Sequence, residues 1–331
     1  MRKYLKVFQL NDSDISGGAA RAAYRIHHCL RSQGIDSRMW VNKALAGDWT
    51  VGGPIGKMSK AVIVVRSQIG GQVRHVLKTD NSVLHSPALM PSCWSKRINE
   101  SDADLVHLHW VCGEMLSIAD IGRISKPVVW TLHDMWAFCG AEHYTEDFRW
   151  REGYARTHRP SYESGLDLNR WVWERKRKYW KRPFQIVTPS HWLGQCVRES
   201  TLMKGWPVTV IPNALNTDVW APVERSLARR LLGLPQDQPL VLFGAMGGGH
   251  HRIKGFDLLR ASLAHLRDQR SDLRLLVFGQ NAPREPEDLG FPVHYLGHLH
   301  DDLSLRILYS AADVMVIPSA ALYKILRLRS S

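Results

Sequence analysis

The chain has 331 residues, of which 44% are apolar and 23% are charged, and this is enough material for two globular domains. Its net charge of +13 calls for an anionic partner, namely nucleic acid, an anionic membrane surface or a phosphate-bearing substrate. No apolar run reaches the about 18 residues that cross a membrane, and the basic N-terminus lacks the apolar core of a secretory signal. The five scattered cysteines, without a CxxC pair, argue against zinc or a disulfide framework and favour a cytoplasmic location.

The first elements alternate between strand, turn and helix. Residues 4–10 predict a buried strand, a polar turn follows through Gly17-Gly18, and residues 19–33 predict a helix. The expected buried face of this helix carries Ala22, Ile26, Cys29 and Leu30.

Further apolar runs continue the same alternation. Strands are predicted over residues 35–41, 104–110, 127–133, 185–188 and 208–211, and helices over residues 59–77 and 170–182, with residues 140–165 as a loop. After residue 238 the pattern restarts, with strands over 239–243, 273–278, 293–296 and 314–317 and helices over 256–267 and 303–311. Such alternation predicts an α/β fold with parallel sheets.

The restart predicts two domains that face each other across a cleft. Their expected bounds are residues 1–213 for the first domain, 214–238 for a linker, 239–319 for the second domain and 320–331 for an aberrant tail.

The segment Arg170–Arg182, RWVWERKRKYWKR, interleaves basic and aromatic residues. One interpretation is an amphipathic helix that packs its aromatic rings inward and leaves its charges in water. A helix that lies on an anionic membrane surface is the second interpretation. Nucleic-acid binding is the third, although no recognised nucleic-acid motif accompanies the charge.

Two glycine-containing turns between a strand and a helix are candidate anion sites. At Gly17-Gly18 the helix N-terminus offers free N–H groups to a phosphate, although a simple tight turn explains the glycines equally well. In residues 247–255, Arg252 and Lys254 add positive charge beside three glycines, a combination that suits a diphosphate. A solvated flexible loop is the alternative there.

Three histidines end or line predicted strands. His133 follows an apolar strand, so it can point to a cleft and bind a sugar hydroxyl or an oxyanion; bonding to backbone carbonyls is the alternative. His107 and His109 alternate on a strand and share one face. Because no third ligand is evident, we expect no metal site.

Several segments, in their order and spacing, resemble one enzyme family over residues 4–319. They resemble retaining glycosyltransferases of the GT-B fold, and more narrowly the bacterial family-four type that builds exopolysaccharides such as colanic acid. The segments are NDSDISGGAARAAYRIHHCL, VVWTLHDMWAFCGAEHYTED, IVTPSHW, VIPNALNTDVW, KGFDLL, VFG, YLGHLHDD and YSAADVMVIPS.

The resemblance implies two facing Rossmann-like domains and transfer of a sugar from a nucleotide-sugar donor to a saccharide acceptor, free or lipid-linked. Anomeric configuration would be retained, no metal or other cofactor would be needed, and nucleic acid would not be a partner. The enzyme would act in the cytoplasm or peripherally at the inner face of an anionic membrane, in cell-surface polysaccharide synthesis.

The resemblance also implies roles for single residues. His133 matches the catalytic histidine that touches the donor sugar. The donor and its diphosphate would be bound by Gly17, Gly18, Arg252, Lys254, Gly279 and Gly297.

The chain departs from the family pattern in three places. Ala245 stands where many relatives have an arginine, and the segment EDFRWREGYARTHRP replaces one that contains cysteine in some close relatives. After Ser319 the family continues with two donor-binding glutamates, whereas this chain has no glutamate beyond Glu287. We therefore expect an incomplete second domain, as a frameshift after Ser319 would produce. The alternatives are an inactive remnant of such an enzyme and a basic protein that binds membrane or nucleic acid without catalysis.

Overall fold

The computed structural model describes residues 5–244, 255–299 and 301–318. The chain divides after Ala214 into two compact units, called unit 1 and unit 2. Ala245, Arg252, Lys254 and the segment after Pro318 lie outside the described residues.

Unit 1 is built on a parallel sheet. Its strands are β1 (Lys6–Ser13), β2 (Asp36–Lys43), β3 (Val51–Gly52), β4 (Leu77–Thr79), β5 (Leu105–Leu108), β6 (Val128–Thr131), β7 (Glu163–Gly165), β8 (Gln185–Thr188) and β9 (Val208–Val210). Its helices are α1 (Gly18–Ser32), α2 (Gly56–Val73), α3 (Trp94–Glu100), α4 (Ile118–Gly122), α5 (Arg149–Glu152), α6 (Leu168–Tyr179) and α7 (His191–Glu199). Seven strands pair in the order β3-β2-β1-β5-β6-β8-β9, while β4 and β7 form a separate antiparallel pair.

The order of this sheet reverses between β1 and β5. From β1 the chain builds outward to β2 and β3, and from β5 it builds in the opposite direction to β6, β8 and β9. In open parallel sheets, ligands bind at such a switch point, beyond the carboxyl ends of the strands. A site is therefore expected at the residues that follow β1, β5 and β6.

Strand β1 extends three residues further than its apolar run. Asn11 and Ser13 pair with Val41 and Lys43 of β2, so the polar turn expected over residues 11–18 begins only after Ser13. The Asn11 side chain supports this extension, because its amide oxygen accepts a hydrogen bond from the N–H of Trp110 at 2.7 Å. Polar residues can thus lie in a buried strand when neighbouring strands satisfy them.

Helix α1 buries a face that only partly matches the expected one, since Ala22 is buried and Ile26 and Leu30 are half-buried. Its buried residues are Ala20, Ala22, Ala23 and His27, whereas Cys29 is exposed. Ala23 packs in a cluster with Met39, Val41 and Val51, where small side chains allow the helix to lie close to the sheet.

Helix α6 confirms the packed interpretation of the basic segment. Val172 and Trp173 are buried in the core of unit 1, while Arg177 and Lys178 are exposed. Lys176 departs from that interpretation because its side chain lies fully inside the protein. Residues 140–165, expected as a loop, contain α5 and β7.

Unit 2 contains a second parallel sheet. Its strands are β10 (Leu240–Gly244), β11 (Arg274–Phe278), β12 (Val293–Tyr295) and β13 (Val314–Val316), in the order β12-β11-β10-β13, and its helices are α8 (Arg225–Leu231), α9 (Phe256–Arg267) and α10 (Asp302–Ala311). Ala228 of α8 packs with Leu240, Leu276 and Leu308, so α8 belongs to the core of this unit.

The predicted α/β class with parallel sheets is confirmed in both units. Across the described part of the chain, no helix is at once long and apolar enough to cross a membrane.

Candidate functional site

The turn between β1 and α1 lies at the switch point of unit 1. Gly17 is the N-cap of α1 with a φ of 95°, a backbone conformation that glycine adopts without strain. No side chain caps this helix end. Among residues 5–244, 255–299 and 301–318, no atom lies within 4 Å of a Cβ built at Gly18, so these residues leave the space beside Gly18 open. The geometry suits the approach of an anionic group.

Two buried aspartates brace this turn. Asp14 accepts hydrogen bonds from the N–H groups of Leu45 and Ala46, each at 2.8 Å. Asp12 accepts from Asn42 at 3.0 Å and from the ammonium of Lys43 at 2.9 Å. The end of β1 is therefore tied to the end of β2.

His133 lies just beyond β6, on the same edge of the sheet. Its Nε2 atom is 3.3 Å from Nδ1 of His109, and Nε2 of His109 is 3.0 Å from the amide oxygen of Gln9. The side chain of His133 is thus held by another imidazole rather than by a backbone carbonyl. Burial lowers the pKa of His133 to about 4, so the ring is neutral at neutral pH.

His107 and His109 share one face of β5 and its extension, as expected, with ring centroids 4.1 Å apart. The Nε2 atom of His107 is 2.8 Å from the hydroxyl of Thr131, and that of His109 is engaged by Gln9. Burial, and to a smaller extent the neighbouring His133, lowers the pKa of His107 to about 4. Within residues 5–244, 255–299 and 301–318, no three His, Cys, Asp or Glu side chains group as a metal site would require.

A second hydrogen-bonded group fixes the loop after β6. The Oδ2 atom of Asp134 lies 2.6 Å from Nδ1 of His143 and accepts from the indole of Trp110 at 3.0 Å. The Nε2 atom of His143 lies 2.8 Å from the hydroxyl of Ser86. Burial opposes the charge of Asp134, but His143 and the N–H of Trp136 hold its pKa below the usual range.

The hydrogen-bonded series Ser86, His143 and Asp134 resembles the catalytic triad of a hydrolase. Ser86 is only 5% exposed and His143 only 4%, so a substrate cannot reach the hydroxyl. The group therefore orders the loop that carries His133 and Asp134, which is a structural use of the same bonds.

Unit 2 places two of the predicted glycines together. The N–H of Gly279 donates to the carbonyl oxygen of Gly297 at 2.7 Å, immediately after β11. At the switch point between β10 and β13, Gly255 caps α9. A Cβ at Gly255 would collide with the carbonyl of Pro318, so only glycine allows this close approach.

The structure thus brings Gly17, Gly18 and His133 to one edge of the sheet in unit 1, and Gly279 and Gly297 to one turn in unit 2. Sequence reasoning missed Gln9, Asp12, Asp14 and His143. A signal existed for Gln9, because an amide inside the strand KVFQLNDS needs a buried partner.

Comparisons with known proteins agree with this architecture. The model of Glycosyltransferase Family 4 matches residues 16–219, and that of Glycosyl transferases group 1 matches residues 239–328. A D-inositol 3-phosphate glycosyltransferase of Xylanimonas cellulosilytica is 32% identical over 128 residues, a match that covers 34% of this chain and 29% of that relative. The chain therefore matches less than a third of the length of this curated relative.

Solved structures show the same fold at low identity. A sucrose-phosphate synthase from Thermosynechococcus elongatus has a TM-score of 0.57 and 15% identity, over 95% of this chain and 75% of the other. HepE of Anabaena, in complex with UDP and glucose, has a TM-score of 0.53 and 15% identity, over 96% and 74%. These neighbours have the GT-B fold. The model of Glycosyltransferase Family 4 matches more than half of the residues of this chain, and the chain therefore belongs to glycosyltransferase family 4.

Proposed function

We propose that this protein transfers a sugar from a nucleotide-sugar donor to a saccharide acceptor. The observation that carries the proposal is the switch point of unit 1, where the N-terminus of α1 at Gly18, which the described residues leave uncovered, and the neutral imidazole of His133 lie on one edge of the sheet. An anion site beside a neutral hydrogen-bonding ring fits a ligand that joins a diphosphate to a sugar. Family membership points to the same reaction.

We propose that the glycine turns and two basic residues bind the diphosphate and the nucleotide of the donor. We assign Gly17 and Gly18 to the diphosphate, with Arg252 and Lys254 supplying positive charge that stabilises the leaving group. We assign Gly279 and Gly297, which meet in one turn after β11, to the nucleotide. With these cations in place, the proposed transfer needs no metal. The neighbour that holds UDP and glucose supports a nucleoside diphosphate and a hexose as the parts of the donor.

His133 is the proposed catalytic residue and touches the donor sugar. The proposal extends to transfer with retention of anomeric configuration, in the cytoplasm, during cell-surface polysaccharide synthesis. The resemblance of segments such as VVWTLHDMWAFCGAEHYTED to that enzyme type supports these finer points.

The test uses the full chain and a panel of UDP-, GDP-, ADP- and dTDP-sugars. We expect calorimetry to find one donor that binds, and NMR of the product formed with an oligosaccharide acceptor to show retained configuration. His133→Ala should abolish turnover, while the control His191→Ala, at an exposed histidine, should not. Absence of binding to every donor, or turnover that persists in His133→Ala, would contradict the proposal. Loss of turnover in EDTA would contradict the metal-free mechanism.

A further inference from the structure

A continuous chain of hydrogen bonds runs from Asp48, at the rim of unit 1, through the core to His133. The bonds join Asp48 Oδ1 to Thr50 Oγ1 (2.7 Å), Thr50 Oγ1 to His27 Nε2 (2.8 Å), His27 Nδ1 to Ser37 Oγ (2.9 Å), Ser37 Oγ to Gln9 Nε2 (2.8 Å), Gln9 Oε1 to His109 Nε2 (3.0 Å) and His109 Nδ1 to His133 Nε2 (3.3 Å). The chain crosses from the loop after β2 through α1, β2 and β1 to the ends of β5 and β6.

The protons of this chain can be arranged in only two directions. A neutral imidazole has one donor and one acceptor nitrogen, each hydroxyl in the chain has a single hydrogen to donate, and the Gln9 amide donates through Nε2 and accepts through Oε1. Burial lowers the pKa of His27 and of His133 to about 4 and that of His109 well below its usual value, so all three rings are neutral at neutral pH. Reversal of the whole chain changes the tautomer of each ring, turns each hydroxyl and rotates the Gln9 amide so that its oxygen and nitrogen exchange places.

Asp48 selects one of these directions, because an ionised carboxylate can only accept hydrogen bonds. Burial opposes its charge, but the N–H and hydroxyl of Thr50 and the hydroxyl of Tyr24 outweigh this effect and lower the pKa of Asp48 to about 2. The Tyr24 hydroxyl donates to Oδ2 at 3.0 Å, and His28 Nε2 lies 2.9 Å from the same oxygen. Thr50 must therefore donate to Asp48 and accept from Nε2–H of His27.

We propose that Asp48, acting through this chain, holds His133 in the tautomer with the proton on Nε2 and the lone pair on Nδ1. The direction set at Asp48 makes Ser37 donate to His27, Gln9 donate to Ser37, His109 donate to Gln9 and His133 donate to His109. Among the described residues, Nδ1 of His133 forms no hydrogen bond, so this nitrogen is left to accept one from a ligand hydroxyl. Asp48, Thr50 and Gln9 are then positioning residues. The use of Nδ1 toward a donor sugar rests on the proposed function, whereas the tautomer does not.

The test is ¹⁵N NMR of the full chain labelled at histidine, since the shifts of the two ring nitrogens distinguish the tautomers. In the wild type we expect Nε2–H at His27, His109 and His133. In Thr50→Val the Nε2–H of His27 loses its acceptor, and an unsatisfied buried donor is unfavourable. We expect all three rings to change to Nδ1–H together in this variant. Thr209→Val, a matched change at an exposed position on β9, should change none.

A second variant interrupts the chain at its middle. In Gln9→Met the half from Asp48 to Ser37 stays connected, so His27 should keep Nε2–H while His109 and His133 lose their fixed tautomer. His107 bonds Thr131 outside the chain and serves as an internal control in every sample.

An Nδ1–H tautomer of His133 in the wild type would overturn the proposal. So would unchanged tautomers of His109 and His133 in both folded variants. None of these readouts uses a nucleotide sugar. The NMR result can therefore support the chain even when no donor binds, and that pair of results would count against the proposed function alone.

Discussion

The ammonium of Lys176 lies 2.7 Å from the carbonyl oxygen of Gly140, inside the core of unit 1. The same nitrogen donates to the carbonyl oxygens of Cys139, at 3.1 Å, and of Trp136. A lysine has three donor hydrogens, so it satisfies three carbonyls that turn inward in the loop after β6. This loop begins at His133 and Asp134, and Lys176 therefore supports the side of the site that carries the proposed catalytic histidine.

Lys176→Met is expected to lower the free energy of unfolding by about 3 kcal/mol, because three buried carbonyls lose a charged donor. Lys178→Met is the control, since this lysine is exposed on the same helix and should cost less than about 0.5 kcal/mol. Urea unfolding followed by tryptophan fluorescence reports on unit 1, because only Trp220 of the 13 tryptophans lies after Ala214. Equal stability of the two variants would show that the Lys176 bonds contribute nothing net.

Gly18→Val is expected to weaken donor binding at least about tenfold without lowering the thermal midpoint. A Cβ at this position meets no atom of the described residues within 4 Å, so we expect the fold to tolerate the valine, whose side chain occupies the space that a diphosphate needs. Gly71→Val is the matched control, since a Cβ at Gly71, within α2, also meets nothing within 4 Å. Calorimetric titration with the donor identified for the wild type gives both affinities. Unchanged affinity in Gly18→Val would remove this turn from the donor site.

The strands of the two parallel sheets, apart from the two-residue β3, and the position of His133 could be predicted from the sequence for one physical reason. Parallel strands are buried on both faces, so they appear as continuous apolar runs, and a polar residue just after such a run lies at the carboxyl edge. The partners of His133 could not be predicted in this way. Gln9 and His109 are 100 residues apart, and only the pairing of β1 with β5 brings them together.

The two misassigned positions of α1, His27 and Cys29, have a related cause. His27 is buried because Ser37 and Thr50 satisfy both of its ring nitrogens, and a sequence pattern that treats histidine as polar places it in water. Cys29, counted as apolar, is exposed instead. Buried polar residues whose partners come from distant strands are the ones that periodicity assigns to the wrong side.

His107→Gln is expected to flatten the loss of stability in acid. The pKa of His107 is about 4 in the folded protein, because of burial and then of His133, against a usual value of 6.5. At a pH between these two pKa values, His107 binds a proton in the unfolded chain but not in the folded protein. Each unit of falling pH therefore lowers the free energy of unfolding by about 1.4 kcal/mol for this group.

The measurement is urea unfolding of the wild type and His107→Gln at several pH values from 7.5 to 4.5. Glutamine does not titrate, so the wild type should lose stability faster than the variant below pH 6.5, and the two slopes should agree above pH 7. Parallel curves across the whole range would mean that His107 takes up protons equally in the folded and unfolded states.

Arg229→Met is expected to destabilise unit 2 by about 2 kcal/mol, because the buried guanidinium of Arg229 no longer donates to the half-exposed carboxylate of Asp313 or to the carbonyl oxygen of Ala311. The Arg229 guanidinium donates to Asp313 at 2.7 Å and to the carbonyl of Ala311 at 3.0 Å, and the residue is only 4% exposed. Since Asp313 precedes β13 and also accepts from the N–H of Leu240 at 2.7 Å, this contact connects α8 to two neighbouring strands.

Arg225→Met provides the matched control, because Arg225 binds the same carboxylate at 3.0 Å from a side chain that is 60% exposed, and such a pair contributes less than about 1 kcal/mol. Hydrogen–deuterium exchange of β10 and α10 should rise in Arg229→Met and stay near the wild-type level in Arg225→Met. Equal protection of β10 in all three proteins would mean that α8 does not stabilise the sheet of unit 2.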